Sequence, residues 1–197
     1  MMREYTCEDY SEYTCEDYSI AIDIATRAHQ GQFRKGAKRT PYIVHPALVA
    51  LSVKTVRQMI IAMLHDVIED CDVSFHREII ERLGEPIYDE ILTCSEHIND
   101  GRPKESWRER KELYINRIIE DGCSDDVLVV ILADKYRNLE DYTRLDEETL
   151  KAQNYISKNS RWFYGSVIEA VAEKLVGKGY DDLIKSTRSM FREVYGE

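Results

Sequence analysis

A short apolar run that leads directly into ionisable residues constrains this chain more than any other feature. Residues 59–70 read Met-Ile-Ile-Ala-Met-Leu-His-Asp-Val-Ile-Glu-Asp. The apolar part predicts a buried helix, whereas an ionised side chain buried without a partner costs several kcal/mol. On one continuous helix, His65 and Glu69 would lie one turn apart, as would Asp66 and Asp70. A divalent cation would reconcile this charge with burial.

The alternative is a solvated helix end that carries a His-Asp pair by chance, because such a pair has little meaning without its structural context. Two other positions bear on the choice. His45 precedes Pro46, which suits the first turn of a helix, so His45 is expected at the start of an apolar helix over 47–53. Asp134 closes the most apolar segment of the chain, directly after 131–133.

Two imidazoles and two carboxylates at the ends of apolar helices form a candidate metal site. Its members are His45, His65, Asp66 and Asp134. Nitrogen and oxygen donors without thiolates suit manganese, iron, zinc or another first-row divalent ion. Water would complete the coordination sphere, and a carboxylate such as Glu69 or Asp70 would be a useful base beside it.

Size and charge limit the class of protein. A chain of 197 residues suits a single domain, and a formal net charge of −10 argues against binding of nucleic acid polymers. No apolar stretch approaches the roughly 20 residues that span a bilayer, and the start of the chain lacks the layout of a secretory signal. We therefore expect a cytoplasmic protein without a membrane partner.

The five cysteines are scattered and include no Cys-x-x-Cys pair, so neither a disulfide framework nor a thiolate zinc site is expected. Cys71 directly follows the acidic pair, but no other feature of the sequence activates it. We interpret Cys71 as a packed thiol rather than a nucleophile.

One basic cluster stands out against the acidic background. Its members are Arg34, Lys35, Lys38 and Arg39. Such a cluster would either steer a small anion to one place or form a solvated turn. The residues alone leave both interpretations open.

Helical periodicity and capping signals run through the whole chain and predict an all-α fold, a single compact multi-helix bundle. The ambiguous segment is 127–132, whose β-branched residues also suit a strand. We favour a helix because Ser124 offers an N-cap and no second strand-like run is present to pair with. The predicted helices span 18–29, 47–53, 57–68, 74–83, 86–93, 106–122, 124–139, 148–176 with a break near Ser160, and 180–195.

An octapeptide is duplicated at the start of the chain. Residues 4–11 and 12–19 both read Glu-Tyr-Thr-Cys-Glu-Asp-Tyr-Ser. Two copies are too few and too short for a solenoid. We expect residues 1–17 to form an N-terminal extension, with the second copy capping the first helix, and residues 18–197 to form the domain.

Four segments, taken in order, resemble a known family. They are AHQGQFRKG at 28–36, TPYIVHP at 40–46, LHDVIED at 64–70 and LADKYRNL at 132–139. The order His, His-Asp, Asp is similar to that of the HD-domain metal-dependent phosphohydrolases. The surrounding residues look like the hydrolase domain of RelA/SpoT-type proteins, and look closest to the single-domain small alarmone hydrolases, the metazoan SpoT homologues. The resemblance spans about 20–142.

The resemblance implies a manganese-dependent enzyme that removes the 3′-pyrophosphate of guanosine tetra- or pentaphosphate, giving GDP or GTP and pyrophosphate. It implies degradation alone, since the chain has no room for the nucleotide-synthesising domain of the larger proteins. The implied metal ligands are His45, His65, Asp66 and Asp134, and the implied acidic pair beside the reacting water is Glu69 and Asp70. Arg34 and Lys35 would face the nucleotide, Tyr42 would line the pocket and Asn138 would contact the base or ribose.

Other functions remain open at this stage. Similar single-domain proteins are associated with removal of the 2′-phosphate of NADPH, and the loop over 94–105 differs from that of many bacterial relatives, so the nucleotide is not fixed. A third hypothesis is a protein that binds the alarmone without turnover, although an acidic pair is not required for binding alone. Trp162 and Tyr164 are expected in the core rather than on an aromatic wall of the site. The sequence also leaves open whether the chain forms a homo-oligomer.

Overall fold

The protein is an all-α bundle, as the periodicity predicts. The computed structural model describes residues 13–35, 39–96, 98, 105–120 and 122–196. Within these ranges the chain forms eleven helices and no strand, and a single antiparallel bridge joins Phe33 to Pro41. The helices are α1 (Cys15–Ala28), α2 (Val44–Ala50), α3 (Val56–Leu64), α4 (Val67–Asp70), α5 (Ser74–Leu83), α6 (Glu85–Cys94), α7 (Trp107–Ile119), α8 (Asp125–Tyr142), α9 (Glu147–Ala152), α10 (Lys158–Leu175) and α11 (Asp181–Tyr195).

Helices α3 and α8 form the centre of the core. Every residue from Ile60 to Leu64 and every residue from Val127 to Lys135 is buried. A helix that is apolar on all sides must be surrounded, and α8 is packed against α2, α3, α6, α10 and α11. Each fully buried aliphatic side chain contributes about 1.5–3 kcal/mol relative to an exposed one. The Ser124 hydroxyl accepts a hydrogen bond from Val127 N at 3.2 Å, which confirms the helical interpretation of this segment.

The second octapeptide copy starts α1. The Thr14 hydroxyl accepts a hydrogen bond from Asp17 N at 3.3 Å, and the Asp17 carboxylate accepts one from Thr14 N at 2.7 Å. This reciprocal pair is a capping box, which satisfies amide groups that the first helical turn leaves without partners. The predicted capping role is confirmed, whereas the first copy lies outside the described residues. The division between residues 17 and 18 stays a prediction.

The predicted helix over 57–68 is wrong in one respect, because it is interrupted. Helix α3 ends at Leu64, and His65 and Asp66 form a turn before α4. His65 Nδ1 donates a hydrogen bond to Ala62 O at 2.7 Å, and this carbonyl is the one that would accept from Asp66 N in a continuous α-helix. The interruption removes the expected stacking of His65 over Glu69 on a single helix.

The predicted break near Ser160 lies earlier in the structure. Helix α9 ends at Ala152 and α10 begins at Lys158, and between them Asn154 adopts a φ of 56°. The Ser157 hydroxyl caps α10 by accepting a hydrogen bond from Ser160 N at 3.1 Å. No helix among the described residues is both long enough and apolar enough to cross a membrane.

Candidate metal centre and cleft

The four predicted metal ligands meet at one point inside the bundle. Ligand atoms of His45, His65 and Asp134 all lie within 4.8 Å of one another. Asp134 Oδ1 is 3.0 Å from His45 Nε2 and 3.6 Å from His65 Nε2. Asp66 Oδ2 is 3.8 Å from His45 Nε2 and 3.3 Å from His65 Nε2. Three donor atoms from three distant segments therefore form one compact group, and the Asp66 carboxylate lies beside its two histidines.

Three packed elements bring these side chains together. His45 lies in the first turn of α2, one position further into the helix than expected, because α2 begins at Val44. His65 and Asp66 form the turn after α3, and Asp134 lies in the buried half of α8. Since α2, α3 and α8 pack against one another, the core itself sets the distances between the donors.

The residues present fit a divalent cation. His65 Nδ1 donates to Ala62 O, so Nε2 is the ring atom that would bind a cation, which would take the place of a proton there. That Nε2 atom is buried and makes no hydrogen bond with the residues that the structure describes. A buried ring nitrogen that faces two carboxylates without a hydrogen bond is the arrangement that a cation satisfies.

The charges of the donors depend strongly on their neighbours. Burial lowers the pKa of His45. Burial also acts to lower the pKa of His65, but Asp66 and Asp134 outweigh it and raise that pKa to about 9. Burial acts to raise the pKa of Asp134, but Lys135 and His45 hold it well below its usual value. Asp134 is therefore an ionised carboxylate in a buried position.

Lys135, which the sequence reasoning missed, holds the second oxygen of this carboxylate. Its Nζ donates to Asp134 Oδ2 at 2.7 Å, and the Lys135 side chain is 8% exposed. On a helix, adjacent residues do not face each other, so helical spacing does not predict this pair. Both side chains are buried at the edge of the cleft, and the ion pair forms because burial leaves each charge little water to solvate it.

Asn138, for which a contact with the base or ribose stays a prediction, makes two hydrogen bonds within the protein. Its Nδ2 donates to Asp134 Oδ1 at 2.6 Å, and its Oδ1 accepts from Arg34 Nη2 at 2.7 Å. Arg34 also donates to Asp141 Oδ2 at 2.8 Å. Both predicted nucleotide residues are thus part of a hydrogen-bond chain that ends on a metal ligand.

Tyr42 does more than line the pocket. Its hydroxyl is 2.9 Å from Asp66 Oδ2 and 3.2 Å from Asp70 Oδ2, so it connects a metal ligand with the acidic pair. Burial and these two carboxylates raise the pKa of Tyr42 far above its usual range, which keeps the hydroxyl a donor. The ring of His29 stacks on Tyr42 at a centroid distance of 4.7 Å. The sequence showed His29 only as part of a motif.

The acidic pair lies beside the metal ligands. The Glu69 carboxylate accepts a hydrogen bond from Glu96 N. Burial, together with the negative charges of Glu96 and Asp66, raises the pKa of Glu69 to about 8. A carboxylate with a pKa near neutrality is suited to accept a proton and to release it again.

All these groups open into one cleft of about 750 Å³, a volume typical of small-molecule sites. Its lining includes every residue predicted for the site, namely Arg34, Lys35, Tyr42, His45, His65, Asp66, Glu69, Asp70, Asp134 and Asn138. The lining also contains aromatic and basic side chains, namely Trp107, Lys111, Tyr142, Tyr155, Phe163 and Tyr164.

The members of the basic cluster have different positions. Arg34 and Lys35 line the cleft, whereas Cζ of Arg39 lies 4.5 Å from the ring centroid of Phe33. Lys38 is outside the described residues. Tyr164 is buried, as expected, but it also lines the cleft, and its hydroxyl lies 2.9 Å from that of Tyr142.

Cys71 is a packed thiol, as predicted. Its Sγ is buried 3.4 Å from His29 Nδ1, and burial with the nearby Asp70 charge raises the pKa of the thiol to about 12. At neutral pH the side chain is therefore not a thiolate.

Comparison with known proteins agrees with this geometry. The HD domain family model matches residues 21–163. The Xenopus tropicalis guanosine-3′,5′-bis(diphosphate) 3′-pyrophosphohydrolase MESH1 is 32% identical over 136 residues, which cover 65% of this chain and 70% of that protein. MESH1 of Drosophila melanogaster is 33% identical over 126 residues, 61% of this chain and 66% of the relative.

A bacterial relative is matched over a smaller part of its length. The guanosine-3′,5′-bis(diphosphate) 3′-pyrophosphohydrolase of Vibrio cholerae is 41% identical over 124 residues, which cover 59% of this chain and 16% of that protein. A solved structure described as a metazoan ortholog of SpoT that hydrolyzes ppGpp and plays a role in starvation responses matches with a TM-score of 0.70. The match covers 93% of this chain and 98% of that one at 21% identity, and therefore bears on the fold. The chain belongs to the HD-domain family, in which it groups with the MESH1 proteins.

Proposed function

We propose that this protein is a metal-dependent hydrolase that removes the 3′-pyrophosphate of guanosine tetra- or pentaphosphate and releases GDP or GTP together with pyrophosphate. The observation that carries the proposal is the convergence of His45, His65, Asp66 and Asp134 at the edge of the same cleft as Glu69 and Asp70. The names of the relatives give the substrate. A protein that only bound the nucleotide would not require the acidic pair.

Each group at the site has a separable task in this reaction. Glu69 or Asp70 accepts the proton of the attacking water, and the hydroxyl of Tyr42 holds Asp66 and Asp70 in register by hydrogen bonds. Arg34 and Lys35 lie on the cleft wall where the anionic nucleotide would bind. The water oxygen forms a bond to the proximal phosphorus as the bond between that phosphorus and the ribose 3′-oxygen breaks. The proton taken from water passes to the 3′-oxygen, which departs as a hydroxyl group.

Manganese is the cation that we propose for the site. The two imidazole nitrogens and two carboxylate oxygens would hold it, and a small first-row divalent ion suits such a mixed donor set. When bound, such an ion polarises the phosphoryl oxygens and lowers the pKa of water. A titration of metal-free protein with Mn²⁺, Fe²⁺, Zn²⁺ and Mg²⁺, followed by calorimetry, would rank the candidates.

The test of the proposed function is a product assay. Purified protein with Mn²⁺ is incubated with guanosine tetraphosphate, guanosine pentaphosphate and NADPH, and the products are separated by chromatography. We expect GDP or GTP and one equivalent of pyrophosphate from the two guanosine nucleotides. Release of orthophosphate from NADPH at a higher kcat/KM would favour the alternative substrate, and binding of the alarmone without pyrophosphate release would overturn the proposal.

We also propose that the enzyme acts in the cytoplasm and that a single chain suffices for activity. The buried thiols Cys71 and Cys94 are free, as expected in a reducing compartment. The proposed site residues line one cleft within this chain, and formation of a homo-oligomer is a further possibility that the sequence leaves open. Light scattering would give the molar mass of the protein at the concentrations used in the product assay, and the turnover rates could then be compared with the oligomeric state.

A further inference from the structure

Two ammonium groups lie close to one aromatic ring in the lining of the cleft. The Nζ atom of Lys111 is 3.9 Å from the ring centroid of Phe163, and that of Lys135 is 5.4 Å from the same centroid. Lys135 contacts the metal ligand Asp134 directly. The shared ring therefore places the Lys111 ammonium close to the metal centre.

Lys111 has a strongly restricted position. It lies on α7, its side chain is 12% exposed, and it forms an ion pair with Glu96. Its Nζ atom is 5.6 Å from the ring centroid of Trp107. The backbone N–H of Glu96 in turn donates to the Glu69 carboxylate. Lys111 therefore reaches Glu69 through its ion pair with Glu96. It also shares the ring of Phe163 with Lys135, which contacts Asp134.

The positive charges of the two lysines repel each other. Burial lowers the pKa of Lys111, and while Glu96 opposes that shift, Lys135 adds to it. Glu96 and Asp134 each offset one of the two charges, and an anion bound in the cleft would offset them further. Lys135 is committed to Asp134, whereas an ammonium with three N–H donors can keep Glu96 and still donate to a second oxygen.

We propose that Lys111 binds the distal phosphoryl group of a diphosphate whose proximal phosphoryl group lies at the metal centre. The inference rests on the proposed function and deepens it, because it assigns a residue that distinguishes a diphosphate from a monophosphate. Lys111 acts by binding the diphosphate that is transferred to water, and it takes no part in the proton transfer of Glu69 or Asp70.

The test measures binding of inorganic pyrophosphate and of orthophosphate, and so does not depend on turnover of any nucleotide. Trp107 provides a fluorescence signal close to Lys111, and calorimetry provides a second one. Both titrations are made with metal-free protein in chelator and again with saturating Mn²⁺. Three variants are compared. Lys111→Met keeps the apolar stem over Phe163, and Lys111→Arg keeps the positive charge. Glu96→Gln breaks the ion pair but leaves the Lys111 ammonium in place.

We expect Lys111→Met to weaken pyrophosphate binding by about 10- to 100-fold, as expected for loss of a charged hydrogen bond, while orthophosphate binding changes less than about twofold. Lys111→Arg should restore most of the pyrophosphate affinity. Glu96→Gln should keep that affinity or increase it, since it removes a competing carboxylate.

Two results would overturn the inference. One is a loss of pyrophosphate affinity in Glu96→Gln equal to that in Lys111→Met, which would show that Lys111 only fastens Glu96. The other is an equal effect of Lys111→Met on pyrophosphate and orthophosphate, or no effect on either. If the wild-type protein binds pyrophosphate through Lys111 but cleaves no guanosine nucleotide, the proposed function fails and the phosphate site stands.

Discussion

Asn138, one helical turn after Asp134 on α8, donates a hydrogen bond from its Nδ2 to Asp134 Oδ1 at a distance of 2.6 Å. The same oxygen faces the Nε2 atoms of His45 and His65, while Lys135 occupies the other oxygen of the carboxylate. Asn138 therefore fixes the orientation of a proposed metal ligand in addition to its contact with Arg34. A residue that the sequence motif implies as a nucleotide contact is also part of the metal centre.

Loss of the Asn138 amide should weaken the metal site. We expect Asn138→Ala to lower Mn²⁺ affinity by about 10- to 100-fold, the effect typical of removing a group that orients a ligand. Calorimetric titration of metal-free protein measures this directly. Asn159→Ala, on the same cleft but on another helix, is the matched control and should bind Mn²⁺ like the wild type. Equal affinity in the two variants would contradict the orienting role.

Metal binding and proton transfer should separate in a pair of variants. Asp66→Asn removes the charge of a ligand, so both Mn²⁺ binding and turnover should be lost. Glu69→Gln should keep Mn²⁺ binding near the wild-type value while kcat falls by about 100-fold or more, as expected for loss of a general base. Mn²⁺ titration and initial rates, measured on the same preparations, test both. Normal metal-dependent turnover in Asp66→Asn would show that the ligand set is wrong.

The thiols should differ in reactivity according to their burial. Burial raises the pKa of Cys71 to about 12 and also raises that of Cys94 well above its usual value, whereas Cys15 is exposed. We expect iodoacetamide at pH 7.5 to label Cys15 within minutes and to leave Cys71 and Cys94 unmodified in the folded protein. Peptide mapping by mass spectrometry measures the labelling. Rapid labelling of Cys71 without unfolding would mean that the interpretation as a packed thiol is wrong.

An ion-pair network between α1 and α5 should make stability depend on pH. Hydrogen bonds from Arg27 and Arg82 lower the pKa of Asp23 from 3.8 to about 2. A carboxyl whose pKa is lower in the folded state stabilises the protein above its unfolded pKa, and this contribution is lost as pH falls through the folded value. We therefore expect Asp23→Asn to destabilise the protein at pH 6 and to have a smaller effect at pH 3. Urea unfolding at both pH values tests this, with the exposed Asp182→Asn on α11 as the control.

Local signals account for the parts of the fold that were predictable. Gly84, with a φ of 91°, ends α5 where the sequence places its end, because a residue without Cβ adopts this conformation at little cost. Ser106 and Ser124 begin α7 and α8 for a similarly local reason, since a serine hydroxyl caps the first amide groups. These elements depend on neighbours within a few residues, which a single sequence displays.

Specific pairing of side chains accounts for the parts that were not predictable. The turn at His65 depends on a ring hydrogen bond that competes with the helix, and periodicity does not reveal such competition. Tyr42 reaches Asp66 across 24 residues, and Arg34 reaches Asn138 across 104. The sequence and the family resemblance identify which residues gather at the site, but the pairing among them is set by packing.

The Lys135 ammonium on Asp134 Oδ2 has a consequence for the choice of ion. With that oxygen occupied, and with Oδ1 already close to two imidazoles, Asp134 offers a single oxygen to a cation and cannot chelate with both. Ca²⁺ takes six to eight oxygen ligands and often binds carboxylates in bidentate fashion, and this pocket supplies nitrogen atoms and a monodentate carboxylate in their place. Calcium should therefore compete poorly for the site, even where it is far more abundant than the transition metals.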